Sequence, residues 1–216
     1  MQSKTWTYMD RSDWPRGEWT SEPDKMQWQD EATGLPCLIV RNQSGALCGY
    51  VGVAEGHPFF GLEYSDCSLP EAKPHGITED AEISQWWAER KAKRLVCNER
   101  GYCDHTPESI LEAHGGITFS DFCRPYGDDG ERGICHVPDA GEPERVYWFG
   151  FDCAHSWDVI PTMQGHGYGN EGWYKPVSYV QAECQKLAEQ LAARSANAAN
   201  SANPDRAQQW AGVGLK

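Results

Sequence analysis

Apolar and polar positions change period several times along this chain, and each change marks an element. A short aromatic and β-branched run at 4–9 predicts an opening strand. Residues 10–34 are polar and broken by Pro15, Gly17, Pro23 and Gly34. They predict a long connection tucked down by Trp14, Trp19 and Trp28, since a loop of that length needs anchors. Apolar runs at 36–41 and 46–54 flank Asn42-Gln43-Ser44-Gly45, a turn by composition, and predict a hairpin. Residues 66–76 read as loop. A helix follows at 79–96, with Ile83, Trp86, Trp87 and Leu95 on its packing side and Glu82, Glu89, Arg90, Lys91, Lys93 and Arg94 on its charged face. Thr106-Pro107-Glu108-Ser109 carries a cap residue and then proline at the first helical position, which predicts a short helix to residue 113. A strand resumes at 117–119. Residues 124–144 are rich in Gly, Pro and Asp without periodicity, and read as a surface loop. The run at 145–152 has almost no polar interruption, so it predicts a strand covered on both faces. After a glycine-rich loop at 158–173, Val177, Val180, Cys184, Leu187 and Leu191 recur at helical steps over 176–194.

The order of these elements predicts an α+β fold: a mainly antiparallel sheet packed by the long C-terminal helix, with a helical insertion at about 66–106. One domain should span 1–194. Residues 195–216 open with Ser-Ala-Asn repeats and read as a low-complexity tail.

Charge narrows the partners. The 216 residues hold 19 Lys and Arg against 32 Asp and Glu, a formal net charge of −13. Such a field repels duplex nucleic acid and anionic membrane surfaces. It leaves room for a small anion in a locally positive pocket, or for a host protein that the acidic surface could bind as an inhibitor. No apolar run is long enough to cross a membrane, and the first residues lack the apolar core of a secretory signal. These features predict a cytoplasmic setting, where most of the nine cysteines would be buried free thiols. Cys97, Cys103 and His105, with Cys67 or His75, have spacing wider than a zinc knuckle but could hold a structural zinc.

Candidate chemistry gathers where apolar runs break into polar ones. Asp152, His155 and Asp158 stand at steps of three directly after the 145–152 run. If the chain turns helically there, all three share one side. His114 precedes Gly115 and Gly116, which let a ligand approach the main chain closely. His57 lies between Gly56 and Pro58 just after the hairpin. Converging, His114, Asp152, His155 and Asp158 could hold zinc or another divalent metal and activate a water. Without metal, an Asp would orient His155 as a general base, with His114 and Asp152 beside it. Cys153 or Ser120 would be the nucleophile in a covalent variant. The same groups could instead bind a small molecule and hold it, with Trp157 and Tyr168 stacking on a base or sugar and His57, Gly115 and Gly116 meeting an anion. A purely structural network is the remaining reading.

Several of these stretches resemble a family of uncharacterised bacteriophage and prophage proteins. They are Gly49-Tyr50-Val51-Gly52-Val53-Ala54-Glu55-Gly56-His57-Pro58, His114-Gly115-Gly116-Ile117-Thr118-Phe119-Ser120, and Trp148-Phe149-Gly150-Phe151-Asp152-Cys153-Ala154-His155 with Asp158. The helix around Tyr179-Val180 and 183–191 also fits. The resemblance implies a phage accessory protein acting in the bacterial host's cytoplasm, against host defence. It implies no particular reaction. The expected function is hydrolysis of a small phosphorylated or nucleotide-like molecule, with sequestration of such a ligand as the alternative.

Overall fold

A computed structural model describes residues 3–66, 73–74, 95–96, 105–123, 133–164 and 172–201. Among them, six strands form one antiparallel sheet: β1 (Lys4–Trp6), β2 (Lys25–Gln29), β3 (Pro36–Arg41), β4 (Leu47–Ala54), β7 (Phe119–Phe122) and β8 (Val146–Asp152). Their order across the sheet is β1-β2-β3-β4-β8-β7. A separate two-stranded pair joins β5 (Lys73–Pro74) to β6 (Leu95–Val96). Two α-helices, the four-residue α1 (Pro107–Ile110) and the long α2 (Val177–Ser201), and two short 3-10 turns at Glu18–Thr20 and Pro161–Met163 complete the described elements.

The α+β architecture, the antiparallel sheet and the C-terminal helix follow the sequence pattern. Val180, Cys184, Leu187 and Leu191 of α2 are fully buried against one face of the sheet, in a core with Ile39, Val51, Val53, Phe149 and Phe151. α2 continues to Ser201, so its helix runs into the residues that the sequence assigns to the low-complexity tail. Most of the predicted helical insertion lies outside the described residues, and within it Lys73–Pro74 and Leu95–Val96 are strand. Of the zinc candidates around it, only His105 is described.

The glycines of β4 and β8 make room for neighbouring side chains, rings at Gly49 and Gly150 and Val146 first at Gly52. Gly49 pairs with Phe151, Tyr50 with Gly150, and Gly52 with Trp148 across the ladder. A Cβ on Gly49 would stand 2.4 Å from the Phe151 ring, and one on Gly150 would stand 2.3 Å from that of Tyr50. Each large ring therefore lies over a missing side chain. Much of the Gly-Tyr-Val-Gly-Val and Trp-Phe-Gly-Phe pattern is thus packing.

β2 falls inside the stretch that predicts only a loop. Its outward pattern looks polar because Lys25 and Gln27 carry the face opposite α2, yet both are buried. Lys25 donates to the Cys135 carbonyl at 2.6 Å and Gln27 to that of Val137 at 2.9 Å. The stretch 133–144 is accordingly not a plain surface loop: it straps this second face, where Ile134 joins Leu38, Val40, Val146 and Trp148. Cys135 of the strap is disulfide-bonded to Cys123 beyond β7, an exception to the expected free thiols. Cys37, Cys48, Cys153 and Cys184 are free and buried.

His57 follows the end of β4 that pairs with the start of β8, since Ala54 faces Val146. Its Nδ1 accepts from Phe59 N at 3.0 Å, and its Nε2 lies 3.0 Å from the Leu191 carbonyl of α2. Burial pushes its pKa below the usual 6.5, outweighing the opposite pull of that carbonyl. The folded state therefore favours neutral His57, so its contribution is complete above about pH 6.5 and declines as pH falls through the folded pKa. The gap in thermal midpoint between the wild type and His57→Gln should be widest at pH 8 and narrower at pH 5.5. A gap that does not change with pH would contradict this assignment.

Candidate functional site

The opposite end of β8 gathers His114, Asp152, His155 and Asp158. After Asp152 the chain makes a tight turn rather than a helical one, with Asp158 N donating to the His155 carbonyl at 3.0 Å. Trp157, the third residue of that turn, has φ +75°, a value that turns ordinarily give to glycine. The Asp158 carboxylate holds the turn closed, its Oδ2 accepting from His155 N at 3.0 Å. The same oxygen accepts from His114 Nε2 at 2.7 Å. On the far side of that imidazole, Nδ1 lies 3.0 Å from the Tyr179 hydroxyl. Lys175 Nζ stands 3.4 Å from Asp158 Oδ1. The result is a line of carboxylate, imidazole and phenol, with an ammonium beside the carboxylate.

Asp152 is bound separately. Its Oδ1 accepts from Ala154 N at 3.0 Å and its Oδ2 from the Thr118 hydroxyl at 3.1 Å. The His155 ring lies beside it, Nε2 3.7 Å from Oδ1, and its centre is 5.6 Å from that of His114. His155 Nε2 is buried without a hydrogen-bond partner among the described residues. Main chain is its immediate neighbour: a Cβ added to Gly115 would stand 1.9 Å from it. The close approach that Gly115 permits is therefore made by His155. Gly116, at φ +93°, has open space where a side chain would be.

Gly115 also has φ +69°. An alanine there would meet both the left-handed backbone penalty and the His155 ring, a combination costing on the order of 1–3 kcal/mol. Gly115→Ala should lower the urea midpoint and shift the His155 ring signals in an NMR spectrum. Unchanged signals would mean that the ring is not seated on Gly115.

The predicted residues are thus partly reunited. His114, Asp152, His155 and Asp158 come together at one sheet end, and Trp157 stands next to them. His57 does not join them: β4 and β8 run in opposite directions, so the residue after β4 lies at the far end. Leu191, which His57 touches, is about 18 Å along α2 from Tyr179 at the standard helical rise. Tyr168 lies outside the described residues. Cys153 is buried, and desolvation first, then the charges of Asp158 and Asp152, push its thiol far above the range in which a thiolate forms. Ser120 accepts from Tyr64 N at 2.8 Å within β7. Neither sits as a nucleophile.

Nor do the four predicted metal ligands point at a shared centre. Asp158 Oδ2 is occupied by His114 and the His155 amide, and both Asp152 oxygens by Thr118 and Ala154. Among the described residues no group of three or more His, Cys, Asp or Glu is arranged to hold a metal ion. These side chains do not fit a divalent cation as they stand.

Two members were absent from the predicted set. Tyr179 falls just off the apolar stripe of α2, and its sequence signals are a lone hydroxyl beside that stripe and a place in the stretch that resembles the phage proteins. Lys175 precedes the helix with none. Burial first, then the charge of Glu183, raises the Tyr179 pKa, so the phenol stays protonated at neutral pH. The chain matches no protein-family model, no curated protein and no solved structure.

Proposed function

We propose that this protein is a metal-independent, histidine-assisted hydrolase of a small phosphorylated molecule. The observation that carries this reading is the line Asp158–His114–Tyr179, closed by contacts of 2.7 and 3.0 Å. With Asp158 as acceptor, His114 keeps a proton on Nε2. In the imidazolium form Nδ1 also carries one, which it donates to the Tyr179 oxygen while the phenol donates its own proton outward. In the reaction, water bonds to phosphorus as the ester P–O bond breaks. The leaving oxygen takes the Tyr179 proton, and Tyr179 is refilled from His114. The proton lost by water goes to solvent, from which His114 recharges. Asp158 orients the ring and stabilises its charge, while Lys175 draws the anion in.

The test is a panel of phosphomonoesters and phosphodiesters, including nucleotides, assayed for phosphate and alcohol release with and without chelator. The expected outcome is turnover of at least one class, unchanged by chelator and lost in Tyr179→Phe. Turnover that survives in Tyr179→Phe, or none with any ester, would overturn the reading.

One observation favours the second reading, a protein that holds its ligand without cleaving it. Trp157 and Trp173 are 63% and 71% exposed beside the relay. Large rings left in water at a polar cluster suit ligand retention as well as turnover. For either activity, the resemblance to phage proteins supports an accessory role in the infected host's cytoplasm, directed against host defence. No helix among the described residues is long and apolar enough to cross a membrane.

A further inference from the structure

The main chain beside the relay is shaped to keep one tryptophan in the open. Asp158 and Trp173 pair as a parallel bridge. Trp173 N donates to the Trp157 carbonyl at 3.0 Å, and Val159 N to the Trp173 carbonyl at 3.2 Å. Gly172 makes the approach possible: at φ +137° it passes so near that a Cβ would stand 2.1 Å from Trp157 O. Residues directly opposite in a bridge send their side chains to the same side. Trp173 therefore shares a side with Asp158, and Lys175, two residues on, returns to it.

The contacts agree with this arrangement. Lys175 Nζ is 3.4 Å from Asp158 Oδ1, 6.0 Å from the centre of the Trp173 ring and 5.3 Å from that of Tyr179. A flat apolar surface, a cation and a phenol hydroxyl thus follow one another along one side. An ammonium has three donors, and Asp158 takes at most part of that capacity. On a chain with a net charge of −13, a phosphate is drawn to such a local cation.

We infer that this row recognises a nucleotide, with the base stacked on Trp173 and the phosphate on Lys175. A sugar phosphate would use the lysine and leave the ring bare; an uncharged planar molecule would do the reverse. Only a compound carrying both parts engages both side chains. Delivery of the ester oxygen to Tyr179 rests on the hydrolase reading, whereas the stacking and charge contacts do not.

Calorimetric titration separates the two. Adenosine 5′-monophosphate, ribose 5-phosphate and adenosine are each titrated into the wild type, Trp173→Ala, Lys175→Met and Tyr179→Phe. The monophosphate should bind the wild type most tightly. Trp173→Ala should weaken it about 10- to 100-fold, the range for loss of one base–aromatic stack, and leave ribose 5-phosphate unchanged. Lys175→Met should weaken both phosphates and spare adenosine. Since Trp173 is exposed, its loss should leave the fold intact, as circular dichroism would verify. Equal binding of adenosine monophosphate and ribose 5-phosphate, or an unaffected Trp173→Ala, would overturn the inference even if esters are hydrolysed. Binding as expected without any hydrolysis would uphold it while removing the hydrolase reading.

Discussion

Tyr179→Phe should slow turnover of a susceptible ester by about 10²–10⁴-fold, the usual worth of a positioned acid or base. The substitution removes one oxygen and keeps the ring, so the packing of α2 is preserved. What disappears is the last step of the relay. A phenol is protonated at neutral pH, and burial raises the Tyr179 pKa further, so Tyr179 serves as a donor, and His114 acts on the leaving group only through it. His114→Ala should therefore cost a similar amount, and the double variant should be no slower than the slower single one. Two independent groups would instead multiply their losses. Multiplied losses in the double variant would break the relay into separate parts. A loss confined to KM, with kcat retained, would reassign Tyr179 to ground-state binding.

Arg41→Met should lower the free energy of unfolding by about 3–5 kcal/mol, because it strips one partner from a buried ionic network. The Arg41 side chain is fully buried at the end of β3. It donates to Glu22 Oε2 at 3.0 Å, to the Gly45 carbonyl at 2.8 Å and to the Tyr174 hydroxyl at 2.9 Å. Its Nε lies 3.4 Å from Asp24 Oδ1. Asp24, also buried, is paired with Arg11 and accepts from the amides of Tyr8 and Met9 at 2.7 and 2.8 Å. Methionine fills similar space but leaves Glu22 without its cation and Asp24 with Arg11 alone. Urea denaturation measures the loss directly, and a change under 1 kcal/mol would show that the acids find other partners. The network also reaches the relay: Glu22 accepts from Val177 N at 2.8 Å and from the Tyr174 hydroxyl. It thereby sets the start of α2, between Lys175 and Tyr179. The variant should accordingly lose ester turnover at a lower temperature than the wild type.

Elements made by short-range periodicity were legible. The β3–β4 hairpin could be read because apolar runs flank a turn, which Asn42 closes by accepting from Ser44 N and Ala46 N. The Thr106 cap was legible as well, and its hydroxyl accepts from Ser109 N as the spacing implies. β2 was not legible. Its buried Lys25 and Gln27 are satisfied by carbonyls 110 residues away, and no local pattern reports such partners.

The site divides the same way. By itself the sequence determined the α+β architecture and the clustering of His114, Asp152, His155 and Asp158 at breaks in apolar runs, because strand ends and periodicity are properties of neighbouring residues. Only the tertiary structure decided that His57 stands apart, since strand direction depends on which runs pair. It also decided that Asp158 faces His114 across 44 residues and that Tyr179 closes the line across 65. Those contacts exist because α2 and the turn after β8 pack at the same end of one sheet, a relation that sequence separation does not encode.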